Sequence, residues 1–130
     1  MSQWQEYNLE EKITKILSDV PDYAPDHHFG RPFLTAYQIA IEFAHRYPED
    51  FARLGLPVGG IGIGQRSSLA QYLAKRLSDG IKAGRITHIE GGFLSNQHLN
   101  DIYFDNDGES IRSSLTGTPF TLSMFRLRDA

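Results

Sequence analysis

The sequence predicts an α+β fold, and three patterns predict it. Leu69, Leu73, Leu77 and Ile81 recur at every fourth position, the stripe that a helix buries along one side. Ala36, Tyr37, Ile39, Ala40, Ile41, Phe43, Ala44 and Tyr47 are apolar round most of a helical circumference, which marks a helix enclosed by the rest of the chain. After Gly84 the apolar period shortens toward two and β-branched residues enter, so strands follow the helices. The expected architecture is three to four helices followed by a small antiparallel sheet of two or three strands.

A chain of 130 residues suits a single domain with one real core. Within that domain, residues 1–31 are expected to form an N-terminal helix and connector, 32–105 the body, and 106–130 a loop and C-terminal strand. The 40% hydrophobic and 12% aromatic content excludes a disordered chain. There is no cysteine, which excludes disulfide staples and thiolate metal sites and fits a reducing compartment. No apolar run approaches the roughly 20 residues that span a bilayer, and Met-Ser-Gln-Trp-Gln-Glu lacks the basic and apolar parts of a signal peptide. A soluble, cytoplasmic protein with no membrane partner is expected.

Asn8 and Glu11 form a capping-box-like start for a helix over residues 9–19, and Pro21 stops it. Pro21, Pro25, Gly30 and Pro32 keep the connector 21–32 irregular. Thr35 caps the buried helix, with Gln38 three residues on and Leu34 placed to staple onto Ile39. Pro48 ends that helix and opens a short one through Phe51 and Leu54, where Glu49 and Asp50 suit the positive end and Gly55 closes it. After the glycine-rich loop Gly59–Gly64, Ser67 or Ser68 caps the central helix and Gly84 ends it. Gly80 should cost about 1 kcal/mol relative to alanine, which predicts a break or fray near Ser78. Arg85–Glu90 reads as a strand, Gly91-Gly92 as a turn or bulge before Phe93 and Leu94, and Asp101–Asp105 as the partner strand. Asn106-Asp107-Gly108 is a turn, Ser110–Thr118 a mobile loop and Phe120–Arg128 a last strand.

This order, with the run Ser-Leu-Ala-x-x-Leu-x-x-x-Leu-x-x-x-Ile-x-x-Gly-x-Ile from Ser68 to Ile86, resembles the winged-helix variety of helix-turn-helix domain over roughly Pro32 to Asp105. The resemblance implies a third helix that enters a major groove and a hairpin wing on the flanking backbone. Gly59–Gly64 departs from that pattern, being longer and richer in glycine than the usual turn.

Charge is distributed unevenly. Between Arg66 and His88, the cations Arg66, Lys75, Arg76, Lys82 and Arg85 face Asp79 alone, whereas in Met1–Gly30 Lys12 and Lys15 face six acidic residues. A basic centre inside a chain of net charge −3 points to an anionic partner, or to nothing more than a solvated helix face. The expected function is nucleic-acid binding, with Arg66, Lys75, Arg76, Lys82 and Arg85 neutralising phosphates and Ser67 and Gln71 reaching base edges. A homodimer is the form that would read a two-fold target. The alternative is a protein-interaction or adaptor module that uses the same fold or the acidic N-terminal segment, where Trp4 and Tyr7 either form an exposed anchor or simply pack on the body.

Catalytic chemistry has no signature here. Gly60-Ile-Gly62-Ile-Gly64 could cradle a phosphate or act as a bend, but no lysine follows to make a Walker sequence and the dinucleotide fingerprint is absent. Asp26-His27-His28 superficially resembles a short metal-phosphoesterase signature without that family's further aspartate motifs, and reads as an exposed connector. Asp105–Glu109 has the flavour of a calcium loop but lacks the twelfth-position ligand and flanking helices, so a hairpin tip is expected. His45, His88 and His98 share no spacing that links them. No enzyme, cofactor or metal is expected; a small hydrolase using the histidines is the residual reading.

Overall fold

In a computed structural model describing residues 2–60, 68–113 and 121–128, the periodic residues Leu69, Leu73 and Leu77 are fully buried. They meet Phe43, Ile39, Ile13, Ile16, Ile89 and Leu122 in one apolar cluster. The described residues form helices α1 (Gln3–Glu6), α2 (Leu9–Ser18), α3 (Ala36–Arg46), α4 (Pro48–Leu54) and α5 (Leu69–Lys82). Their strands are β1 (Leu34–Thr35), β2 (Ile89–Leu94), β3 (Tyr103–Asn106), β4 (Glu109–Arg112) and β5 (Leu122–Leu127). The architecture is α+β, as the sequence predicts.

Three strands form an antiparallel sheet in the order β1-β5-β2, so the last strand in sequence is central in space. Thr35 lies opposite Met124, and Ile89 to Leu94 pair with Leu127 to Leu122. A second sheet is the hairpin β3–β4, in which Tyr103 faces Arg112 and Asn106 faces Glu109.

Several helix termini follow the local chemistry of the sequence. The Thr35 hydroxyl accepts from the Gln38 amide at 3.3 Å, and the Gln38 side chain accepts from the Thr35 amide at 2.7 Å, a complete capping box. Pro48 opens α4, and Gly55 closes it at φ 68°. Asn8 departs from expectation. It sits in the left-handed region at φ 54° and bonds to Glu11 through its side chain, with no bond to a first-turn amide.

Gly80 does not break α5, which runs without interruption to Lys82. A Cβ added at Gly80 would lie 2.5 Å from Cδ1 of Ile86, so the missing side chain is the space into which the returning chain packs. Helix propensity registers only the local cost of glycine; the compensating contact comes from beyond the helix end.

The strand assignments need correction. The strand predicted over Arg85–Glu90 is β2, which begins at Ile89 and carries Gly91 and Gly92 within it. The two glycines do not turn the chain, because the Phe125 ring of the neighbouring strand covers Gly91, where a Cβ would stand 3.2 Å from it. Asp101–Asp105 is not its partner: β3 pairs with β4, which lies partly in the stretch predicted as a loop over Ser110–Thr118. Residues 114–118 of that predicted loop lie outside the described residues. β1 went unanticipated, since two residues are too few to show alternation. Trp4 is 8% exposed and Tyr7 packs partly buried against the core, so of the two expectations for this pair the structure shows packing on the body and not an exposed anchor.

Candidate functional site

α5 separates its faces sharply. Leu69, Leu73, Leu77 and Gly80 point inward, while Gln71, Lys75, Ser78 and Lys82 are exposed. At 3.6 residues per turn these four outward residues fall on one stripe about 16 Å long. The Lys75 side chain is 73% exposed and reaches Asp79 at 3.2 Å, an i,i+4 ion pair held in water. Such a pair contributes about 0.3–0.5 kcal/mol, too little to hold Lys75 against a stronger anion. Arg85, just past the helix end, is also exposed.

Arg76 stands apart from this stripe, about 100° further round the helix than Lys75. Its guanidinium lies over the Trp4 ring, 5.5 Å from the centroid, and the residue is half-buried. Two of the seven predicted contact residues, Arg66 and Ser67, lie outside the described residues. The structure therefore brings Gln71, Lys75 and Lys82 together on one stripe, leaves Arg85 exposed beyond the helix end, and turns Arg76 toward the N-terminal helix.

The first turn of α5 has no free amides for an anion. The Leu69 amide donates to the Pro57 carbonyl at 2.7 Å, Ala70 to Val58 at 3.0 Å, Gln71 to the Ser68 hydroxyl at 3.1 Å and Tyr72 to the Ser68 carbonyl at 3.1 Å. With the Leu69, Ala70 and Gln71 amides engaged outside the helical ladder and Tyr72 within it, the first turn of α5 offers these donors to no anion. Gly59 and Gly60 have φ of 140° and 120°, and Cβ atoms there would press on Tyr37 and on β4. In these two residues the glycines serve a tight bend. The rest of the loop, Ile61 to Gly64, falls outside the described residues.

The β3–β4 hairpin folds back onto α3. Phe104 stacks on Tyr37 with ring centroids 4.9 Å apart, and Nε2 of His45 donates to the Asn106 side chain at 2.9 Å. The hairpin carries Asp105, Asp107 and Glu109 at its tip, and Asp107 and Gly108 take the positive φ that the turn needs. It presents acids where a phosphate-binding wing would present cations.

Elsewhere the ionisable groups hold elements together. Arg126 binds Glu90 at 2.7 Å and the carbonyls of Phe29 and Arg31, while its guanidinium lies 4.3 Å from the Phe33 ring, tying the connector to the sheet. Lys12 pairs with Asp50, joining α2 to α4. The Arg46 guanidinium, which donates to Asp19, holds that carboxyl below its ordinary range; the bond that Arg46 donates to the Glu42 carboxylate in turn raises Arg46. His88 meets the Thr14 hydroxyl at 2.9 Å. Because that hydroxyl already donates to the Glu10 carbonyl, Nε2 of His88 carries the proton. Among the described residues, no three histidine, aspartate or glutamate side chains converge on a metal-sized site.

Two exposed features escaped the sequence reading. Phe93 is 72% exposed on β2, and Tyr23 and Phe29 are 94% and 71% exposed on the connector beside an apolar cleft with Pro32 and Phe33. Alternation could have placed Phe93 on a face, but not told which face the core leaves uncovered. Among the described residues no helix is long and apolar enough to cross a membrane. No known family model, curated protein or solved structure matches the chain.

Proposed function

We propose that this chain is a winged-helix-like nucleic-acid-binding protein, a small non-catalytic regulator that lays the outer face of α5 on a duplex. Lys75, Lys82 and Arg85 neutralise phosphates, and Gln71 faces base edges. The observation that carries this reading is the exposed stripe Gln71, Lys75, Ser78 and Lys82 on a helix whose other side is core. The fold around it adds support: a strand ahead of α3, a strand after α5 and the final strand between them, β1-β5-β2, is the pairing of a winged-helix sheet. Arg76, stacked on Trp4, falls outside the proposed contact set. The net charge of −3 limits nonspecific binding, and the absence of cysteine suits work in the cytoplasm.

The test is titration of a labelled duplex at low and moderate salt. Wild type should bind and weaken steeply as salt rises. Lys75→Ala combined with Lys82→Ala should flatten the slope of log affinity against log salt by about two units. Absence of binding at low salt, or an unchanged slope in the double variant, overturns the reading.

A second reading, a protein adaptor, is favoured by one observation: the exposed Tyr23 and Phe29 beside the connector's apolar cleft. Its mark would be a defined protein partner, lost on Tyr23→Ala with Phe29→Ala and kept in the lysine variant. Solution mass would show whether the chain pairs.

A further inference from the structure

β2 and β5 run beside the C-terminal half of α5, and the space between them is a groove of about 320 Å³. Its apolar walls come from Ile81 of α5 and from Gly91, Gly92 and Phe125 of the sheet, with Lys82 and Phe93 at its rim. The register explains how it arises. Ile89, Gly91 and Phe93 face the same way as their partners Leu127, Phe125 and Ser123, and along this row burial gives way to exposure. Ile89 is fully buried against the core, the Phe125 ring lies over Gly91 as the floor of the groove, and Phe93 at the far end is 72% exposed.

An isolated exposed phenylalanine is ordinary. Phe93 differs because its ring borders an apolar groove whose opposite rim, Lys82, belongs to the cationic stripe of α5. Among the described residues no carboxylate lines the groove, and the acidic hairpin β3–β4 contributes nothing to it. An apolar slot with an aromatic rim beside a row of cations matches one chemistry: a flat, uncharged ring attached to a phosphate chain.

We propose that this groove takes an unpaired nucleobase, which stacks on Phe93 while the phosphates of its strand lie along Lys75, Lys82 and Arg85. The missing side chain of Gly91 lets the Phe125 ring lie flat against the strand, which gives the groove an aromatic floor for the base. Since every base offers a π-face, the slot selects an unpaired nucleotide over a paired one without choosing its identity. The inference rests on the duplex-binding reading above and adds to it a preference for duplexes with a bulged or splayed base.

The experiment compares a fully paired duplex with one carrying a single bulged 2-aminopurine, using the full chain. Wild type should bind the bulged duplex about tenfold more tightly and quench the 2-aminopurine fluorescence. Phe93→Ala should remove both the preference and the quenching while keeping the affinity and salt slope for the paired duplex; Phe93→Trp should retain both. Equal affinity for the two duplexes in wild type, or a preference that survives Phe93→Ala, overturns the stacking slot and leaves the duplex reading standing. If neither duplex binds, both proposals fall.

Discussion

Arg76 and Lys82 sit less than two turns apart on α5, yet their surroundings are opposite. Arg76 is half-buried under Trp4, on the side where the acidic N-terminal helices pack. Lys82 stands exposed at the rim of an apolar groove that neither hairpin nor connector lines. The difference teaches that a basic helix has as many surfaces as it has neighbours. One flank of α5 spends its charge on holding the fold, and only the other is free for a partner.

The largest break in this comparison comes from opening the closed flank. Trp4→Ala should destabilise the fold by about 3 kcal/mol in chemical denaturation, because a large buried ring is removed. Arg76→Ala should lose about 1 kcal/mol through the same contact, while Lys75→Ala stays within about 0.5 kcal/mol of wild type. Equal losses for Arg76→Ala and Lys75→Ala would erase the distinction between the flanks.

A sharper probe is Gly80, which sets the chain's return from α5 toward β2. Alanine there gains about 1 kcal/mol in helix propensity but meets Ile86, and overpacking of that kind costs about 1–3 kcal/mol. Gly80→Ala should therefore destabilise wild type by about 1 kcal/mol and stabilise an Ile86→Ala background. A thermal-melt double-mutant cycle measures the coupling. The same small effect in both backgrounds would mean that Ile86 does not rest on Gly80.

The smallest effect belongs to Asp19 on the N-terminal side. Its carboxyl is held below the ordinary range by the Arg46 hydrogen bond, so the folded protein binds that proton less readily than the unfolded chain. The stability this pair contributes is full above the ordinary aspartate pKa and fades as pH falls through the lowered folded value. Asp19→Asn should flatten the acid limb of a stability-against-pH curve slightly; a steeper limb would contradict the sign.

How much could be read in the chain follows from the range of each interaction. The capping box of Thr35 and Gln38, the proline and glycine that bound α4, and the four-residue leucine period of α5 are written within a few positions, where backbone geometry admits few alternatives. The candidate stripe was legible for the same reason, since helical periodicity alone aligns Gln71 with Lys75 and Lys82. The pairing of β3 with β4 was half visible, as the turn Asn106-Asp107-Gly108, while the strand after it read as a polar loop.

What lay beyond the reach of periodicity was decided by contacts between distant segments. β2 chose β5, not the nearer Asp101–Asp105, and Phe125 settled over Gly91 so that two glycines became strand. Trp4 took one side of Arg76 out of solvent, and Ile86 turned Gly80 from a weak point into a packing site. Local residue order specifies where a helix begins, turns its face and stops, because those forces act over one turn. Which of its charges remain available depends on what the folded chain brings against them, and that is a property of close packing in three dimensions.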